Sequence, residues 1–211
     1  MGVIVTTARD DFSTVTRDAV TTQAGRRLRG AGCTNPGPGT GAYSLTGGRV
    51  TGSTTAHLNP SGGPAGAAAA FQAAFATWRA ADPNAPSISV VSDSSVSTPR
   101  ADGQYELMFA RLAGRTLGVT YTWHWSSGAQ ESDVVFNTNA PWWIAPGEGD
   151  GCYEGVAKYD LQNTATHEFG HVYGLGHVSS PFNTMAPTAT MGETYKRSLA
   201  TGDAAGIRAI Y

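Results

Sequence analysis

An α+β domain is predicted by three features of this 211-residue sequence. Short alternating or apolar segments fill most of 49–137, one amphipathic helix interrupts them early, and two helical segments close the chain. The order, strands with one early helix and then helices, makes an α+β domain the natural class. Gly accounts for 27 residues and clusters with Pro, Ser and Thr, which implies many turns and a loop-rich surface. With 14% charged residues and a net charge of -2, the chain lacks the basic excess of a nucleic-acid binder. Apolar stretches such as Ala67 to Phe71 are far too short to cross a bilayer, so no membrane partner is expected.

Residues 1–45 mix Thr, Arg, Asp and Gly with no sustained period and read as an N-terminal arm laid over the surface. Gly30 to Gly41 (GAGCTNPGPGTG) is too heavily punctuated for a regular element. The start meets Asp10 and Asp11 before any apolar core of about 7–15 residues, so no secretory signal is read there and a trimmed form is expected. A strand is predicted from Arg49 to Asn59, ended by Asn59-Pro60-Ser61-Gly62-Gly63. Pro64 opens a helix, where a missing N–H costs little. Phe71, Phe75 and Trp78 form its apolar stripe, and Pro83 stops it.

Ser87 to Ser92 reads as a strand, as does Tyr105-Leu107-Phe109 alternating with Glu106, Met108 and Ala110. Val119, Tyr121, Trp123 and Trp125 alternate with Thr120, Thr122 and His124. Ser132 to Asn137 is apolar at its centre, like a buried strand. Pro141 to Gly155 is a loop rich in Gly, Trp and acid. Helices are predicted over 161–173 and 199–211.

The chemistry is concentrated in His167-Glu168-Phe169-Gly170-His171-Val172-Tyr173-Gly174-Leu175-Gly176-His177. Residues four apart on a helix differ by about 40° in direction, so His167 and His171 project from one face and can share a zinc ion. Glu168 lies about 100° round from His167, beside the metal rather than on it. From there it can hold a zinc-bound water and take its proton. On a continuous helix His177 would lie about 15 Å further along the axis. Gly174 can take the left-handed conformation that ends a helix, which lets His177 swing back as third ligand. Three protein ligands leave a fourth position for water, as in catalytic zinc sites. A zinc-retaining binding module without activity would be marked by loss of Glu168, which is present.

Eight residues after His177 comes Met185, within Phe182-Asn183-Thr184-Met185-Ala186-Pro187. Together with the eleven-residue motif, this resembles the Met-turn of the metzincin clan of zinc proteases. Asp160 to Thr166 ahead of the motif, Pro187 after it, and the ending from Leu199 to Tyr211 are similar to the matrixins, the matrix-metalloproteinase-like branch. The likeness is specific over about 157–211 and follows strand order only over 47–145.

Several expectations follow from that resemblance. The fold is a zincin-like domain with a twisted mixed sheet, an active-site helix and a small C-terminal subdomain after the third histidine. Residues 1–45 become propeptide-like, ahead of a catalytic domain over 46–211 with an upper part 46–177 and a lower part 178–211. The activity is that of a secreted, extracellular zinc endopeptidase, acting as a monomer on protein or peptide. Gly118, Val119, Thr120 and Tyr121 would border the cleft and pair with substrate as an added strand. Asn163 would sit near the floor of the specificity pocket, with Pro187, Thr188 and Ala189 along its wall. Ala189 stands where matrixins often carry Tyr, which predicts a wider pocket. His57 and His124 alone do not supply the family's second zinc site. Calcium could find oxygens at Glu148, Asp150 and Glu154. Cys33 and Cys152 form a disulfide on the even-count logic of exported proteins, worth about 4–5 kcal/mol; alternatively the Cys33 thiol reaches the metal, as in matrixin latency.

Overall fold

The computed structural model describes residues 12–22, 33 and 36–211. Its strands are β1 (Phe12–Thr22), β2 (Ser44–Leu45), β3 (Thr54–Leu58), β4 (Ile88–Ser92), β5 (Tyr105–Ala110), β6 (Thr116–Trp125), β7 (Gln130–Asn137), β8 (Trp142–Trp143), β9 (Tyr159–Asp160), β10 (Leu175–Gly176) and β11 (Thr188–Ala189). Its α-helices are α1 (Ala67–Ala81), α2 (Leu161–Tyr173) and α3 (Thr201–Ile210). The mixed sheet has seven strands in the order β11-β1-β6-β7-β5-β3-β4. Strands β4, β3, β5 and β7 run parallel, and β6 turns back antiparallel to β7.

Helix α1 carries the predicted stripe. Phe71, Phe75 and Trp78 are fully buried, which stabilises the fold by about 1.5–3 kcal/mol per side chain. Phe75 stacks on Phe169 of α2 at 3.8 Å between ring centroids, and Trp78 Nε1 donates to the Thr166 carbonyl at 2.8 Å. Ahead of Pro83, Asp82 is extended at φ -142°, as the proline ring requires, and there the helix stops.

Helix α2 is buried along almost its whole length, polar positions included. Its N-cap is Asp160, whose carboxylate accepts from the Asn163 N–H at 2.9 Å. The same carboxylate takes both arms of Arg197 at 2.6 Å. Truncating either member of so buried a pair costs about 3–5 kcal/mol. At the other end, Gln130 of β7 donates to the His171 and Val172 carbonyls.

Two sequence expectations change in detail. Residues 12–22 do not lie over the surface: they form a strand of the main sheet, and Val20 is fully buried. Strand β5 does not alternate between core and solvent. It is flanked by β7 and β3, and Tyr105, Glu106, Leu107 and Met108 are all buried. The expected surroundings of Cys33 at 29–32 lie outside the described residues. Cys33 itself is bonded to Cys152 with 5.5 Å between Cα atoms, so its thiol is not offered to a metal.

Gly170 lies where α2 meets the methionine turn. A Cβ there would come within 2.2 Å of Met185 Sδ and 2.7 Å of Trp78 Cζ2. Gly170→Ala should therefore destabilise the domain by about 1–3 kcal/mol through overpacking. The Tm in a thermal melt checks this, with an expected fall of at least about 2 °C.

Candidate metal centre and cleft

The last turn of α2 and the chain beyond it bring three imidazoles to one point. Gly174 is left-handed at φ 107°, and its N–H caps the Gly170 and His171 carbonyls. The chain then turns into β10, and His177 comes back over the helix. His177 Nε2 lies 3.1 Å from the Nε2 atoms of both His167 and His171. A tetrahedral zinc with nitrogens at about 2.0–2.1 Å holds its ligand atoms about 3.3–3.4 Å apart, so the three histidines fit such an ion with little adjustment. Among the described residues, no other group of three His, Cys, Asp or Glu side chains converges in this way.

The outer nitrogens explain the orientation. His167 Nδ1 lies 2.7 Å from the Thr184 carbonyl, and His171 Nδ1 lies 2.7 Å from the Leu175 carbonyl. A carbonyl can only accept, so each Nδ1 carries the proton and each Nε2 turns its lone pair inward. Burial pushes all three imidazoles down, His171 and His177 to about 4, and so keeps them in the neutral form that binds metal.

The Thr184 carbonyl is itself held by the methionine turn. Asp203 of α3 accepts from the Thr184 N–H at 2.7 Å, the Met185 N–H at 3.2 Å and the Ala200 N–H at 3.0 Å. Met185 is buried beneath α2 against Gly170. A chain of contacts thus runs from Asp203 through Thr184 to His167.

Glu168 is fully buried and points away from the core towards β6. The Thr120 hydroxyl donates to its Oε2 at 2.6 Å, and the Val20 N–H donates to Oε1 at 3.2 Å. Burial pushes the carboxyl up to about 8, against the pull of those two hydrogen bonds. Gly118 makes room for it: a Cβ at 118 would stand 2.7 Å from Oε1.

Comparison with known proteins adds the family. The matrixin profile matches residues 59–211, most of the chain and all of this site. The chain belongs to the matrixins. A 69-residue stretch is 39% identical to Metalloendoproteinase 2-MMP of Arabidopsis thaliana, covering 33% of this chain and 18% of that protein. Over 55 residues it is 47% identical to human Neutrophil collagenase, covering 26% and 12%. Over 82 residues it is 35% identical to mouse Stromelysin-3, covering 39% and 14%. The aligned stretch is thus less than a fifth of each relative's length. Family and histidine triad together imply a catalytic zinc in this matrixin.

The residues singled out in the sequence for substrate binding lie on β6, on or next to β11 and on α2. Gly118, Val119, Thr120 and Tyr121 lie on β6, each paired with a residue of β1. The Pro187 carbonyl accepts from the Thr21 N–H at 3.0 Å, and Thr188 and Ala189 form β11 beside it. Asn163 is buried and fully engaged: its amide donates to Glu193 Oε1 at 3.1 Å, and its oxygen accepts from the Lys196 N–H at 2.8 Å. Glu193 in turn accepts from the Thr190 N–H, and the Lys196 ammonium donates to the Ala186 and Thr188 carbonyls. Asn163 thereby supports, through Glu193 and Lys196, the segment from Ala186 to Thr190. The Glu148 carboxylate takes the Ser198 hydroxyl at 2.6 Å. Glu148, Asp150 and Glu154 do not gather into a metal-binding group in this structure.

Sequence reasoning missed Asp203, Glu193 and Lys196, and it read Thr120 only as a cleft residue, not as the donor to Glu168. Lys196 stands beside Arg197, and Asp203 between Gly202 and Ala204, so neither is marked by its sequence neighbours as a buried charge. Removing Asp203 leaves three backbone donors unpaired and frees the turn that orients His167. Asp203→Ala should weaken zinc binding about 10- to 100-fold. Competition against a chromophoric chelator measures it, and an unchanged zinc affinity would show that the turn needs no such brace.

Proposed function

We propose that this matrixin is a secreted zinc-dependent endopeptidase that binds its substrate as an extended strand and uses Glu168 as the proton carrier. The convergence of three inward-facing Nε2 atoms beside the Glu168 carboxylate, at the rim of the sheet, carries this reading. Zinc, when bound to His167, His171 and His177, supplies Lewis acidity to the scissile carbonyl and to water.

The chain's own residues do the rest. Backbone groups of β6 and of Pro187 to Ala189 offer hydrogen bonds to the two edges of an extended peptide, which fixes its depth and direction. The Thr120 hydroxyl holds Glu168 in one rotamer. Glu168 takes a proton from the attacking water and gives it to the departing nitrogen, a shuttle that works best when its carboxyl titrates near the working pH. Leu117, Tyr159 and Ala189 form a buried apolar cluster with Ala140, Trp142 and Met191 packed against it, and we assign the specificity pocket there. Its apolar lining favours a medium-sized aliphatic side chain after the cut bond. The Cys33–Cys152 disulfide supports an oxidising, extracellular setting.

Glu168→Ala should keep one zinc per chain and lose peptide cleavage, and a chelator should abolish the wild-type activity. Metal analysis beside an assay on casein decides it, and turnover by Glu168→Ala would remove the residue from its role. Thr120→Val should lower kcat about 10- to 100-fold while leaving zinc content unchanged, the effect of losing one hydrogen bond to a charged group. A mixed peptide library reports the pocket, and cleavage indifferent to the residue after the cut would contradict its placement.

A further inference from the structure

Strand β1 occupies the cleft just described. It runs antiparallel to β6 on one side and parallel to β11 on the other, so it fills the slot between sheet rim and pocket wall. Val20 pairs with Gly118, and its fully buried side chain packs in one apolar cluster with Leu117, Tyr159 and Ala189. Its N–H donates to Glu168 at 3.2 Å. Regular pairing breaks between Val20 and Thr21, next to that carboxylate. The next N–H, of Thr21, goes to the Pro187 carbonyl. Asp18 and Ala19 line a cleft of about 430 Å³ with His177, Pro187 and Thr188.

Chain direction decides what this contact can do. Because β1 runs from Arg17 towards Thr22 between these two edges, the nitrogen facing Glu168 belongs to the residue that fills the pocket. That is the nitrogen a peptide bond releases when cut on the N-terminal side of that residue. A strand laid the other way would set a different peptide unit beside Glu168. A strand serving only to extend the sheet would have no need to hydrogen-bond the one buried carboxylate beside the histidine triad. Left in place, it also denies the cleft to any other peptide.

We propose that residues 12–22 are this enzyme's own intramolecular substrate, held across the cleft and hydrolysed between Ala19 and Val20. The proposal rests on the endopeptidase reading above. In the step, the water oxygen bonds to the Ala19 carbonyl carbon and the C–N bond to Val20 breaks. One water proton passes through Glu168 to the Val20 nitrogen, and the second, lost from the new carboxyl, ends on the same nitrogen, so Ala19 ends as a carboxylate and Val20 as an ammonium. Cys33 lies after the cut, so the disulfide does not retain the piece ending at Ala19. Until then the tethered strand competes at an effective concentration on the order of millimolar, and cleavage of an external peptide at low concentration is at least about tenfold slower.

The test follows zinc-loaded full chain by intact-mass spectrometry and N-terminal sequencing, beside Glu168→Ala, Val20→Leu and Val20→Lys. Wild type and Val20→Leu are expected to yield a new N-terminus at residue 20, with a first-order rate independent of protein concentration. Glu168→Ala should stay whole, with the Thr21 and Thr22 amides protected from hydrogen exchange. Val20→Lys cannot seat a charge in the apolar pocket, so it should stay whole at that bond, lose that protection and cleave an external peptide without a lag. The proposal is overturned if wild type cleaves external peptide while its 19–20 bond stays intact. It is equally overturned if the cut rate rises in proportion to protein concentration, or if the Thr21 and Thr22 amides of Glu168→Ala exchange as freely as those of Val20→Lys. If no variant cleaves external peptide and wild type also keeps its 19–20 bond, the endopeptidase reading falls and takes the cut with it, while amide exchange still reports whether the strand docks.

Discussion

The end of α2 at Gly174 is the constraint on which the rest of this site depends. A side chain there would have to adopt a left-handed backbone and would also place its Cβ 2.2 Å from the Gly48 carbonyl. Only glycine lets the chain turn so sharply and pass so close. That one turn has three consequences. It stops the helix one residue after Tyr173, it puts the Leu175 carbonyl on His171 Nδ1, and it returns His177 to within 3.1 Å of the other two ring nitrogens. The Gly174 carbonyl meanwhile accepts from Thr46, tying the segment ahead of β3 to the turn.

Around that turn the protein accepts a large desolvation cost. Three imidazoles and a carboxylate are withdrawn from water, and each polar group so buried must be matched. The matching comes from distant parts of the chain: Thr184 for His167, Leu175 for His171, Thr120 for Glu168, and Gln130 for the last carbonyls of α2. Asp203 and Lys196 extend the pattern, with a buried carboxylate bracing the methionine turn and a buried ammonium bracing the pocket wall. Among the described residues the inward-facing nitrogens face one another, and three converging lone pairs repel unless a cation lies among them. Metal binding and the closing of the C-terminal segment on α2 are therefore coupled energetically.

How much of this was legible in the sequence divides by the range of the interaction. The 3.6-residue stripe of Phe71, Phe75 and Trp78, the proline stop after α1, the bounds of α2 and the turn at Gly174 are local, and each follows from residues within a few positions. The histidine triad is nearly local, spanning eleven residues. The supporting groups are not: Thr120 to Glu168 crosses 48 residues, and Asn163 to Glu193 crosses 30. Nothing in the surroundings of Asp203 announces that it caps a turn 18 residues earlier. The same holds for β1. Its run of Thr and Val favours extended chain, yet whether such a segment pairs, and with which edge, is set by the edge left open across the fold.

That open edge is where folding and recognition meet. Strands β4, β3, β5, β7 and β6 already make a sheet whose last member runs against its neighbour, and the free side of β6 faces the metal-binding helix. Gly118 sits on that side without a side chain, which brings the Glu168 carboxylate within reach of whatever strand lies along β6. Backbone donors and acceptors do not distinguish one extended chain from another, so the rim can accept a segment of the same molecule as readily as a separate peptide. Under the proposed function, discrimination then falls to the apolar cluster of Leu117, Tyr159 and Ala189, against which Val20 packs while its backbone nitrogen faces Glu168. One geometric requirement thus governs both what the cleft can cut and what can block it.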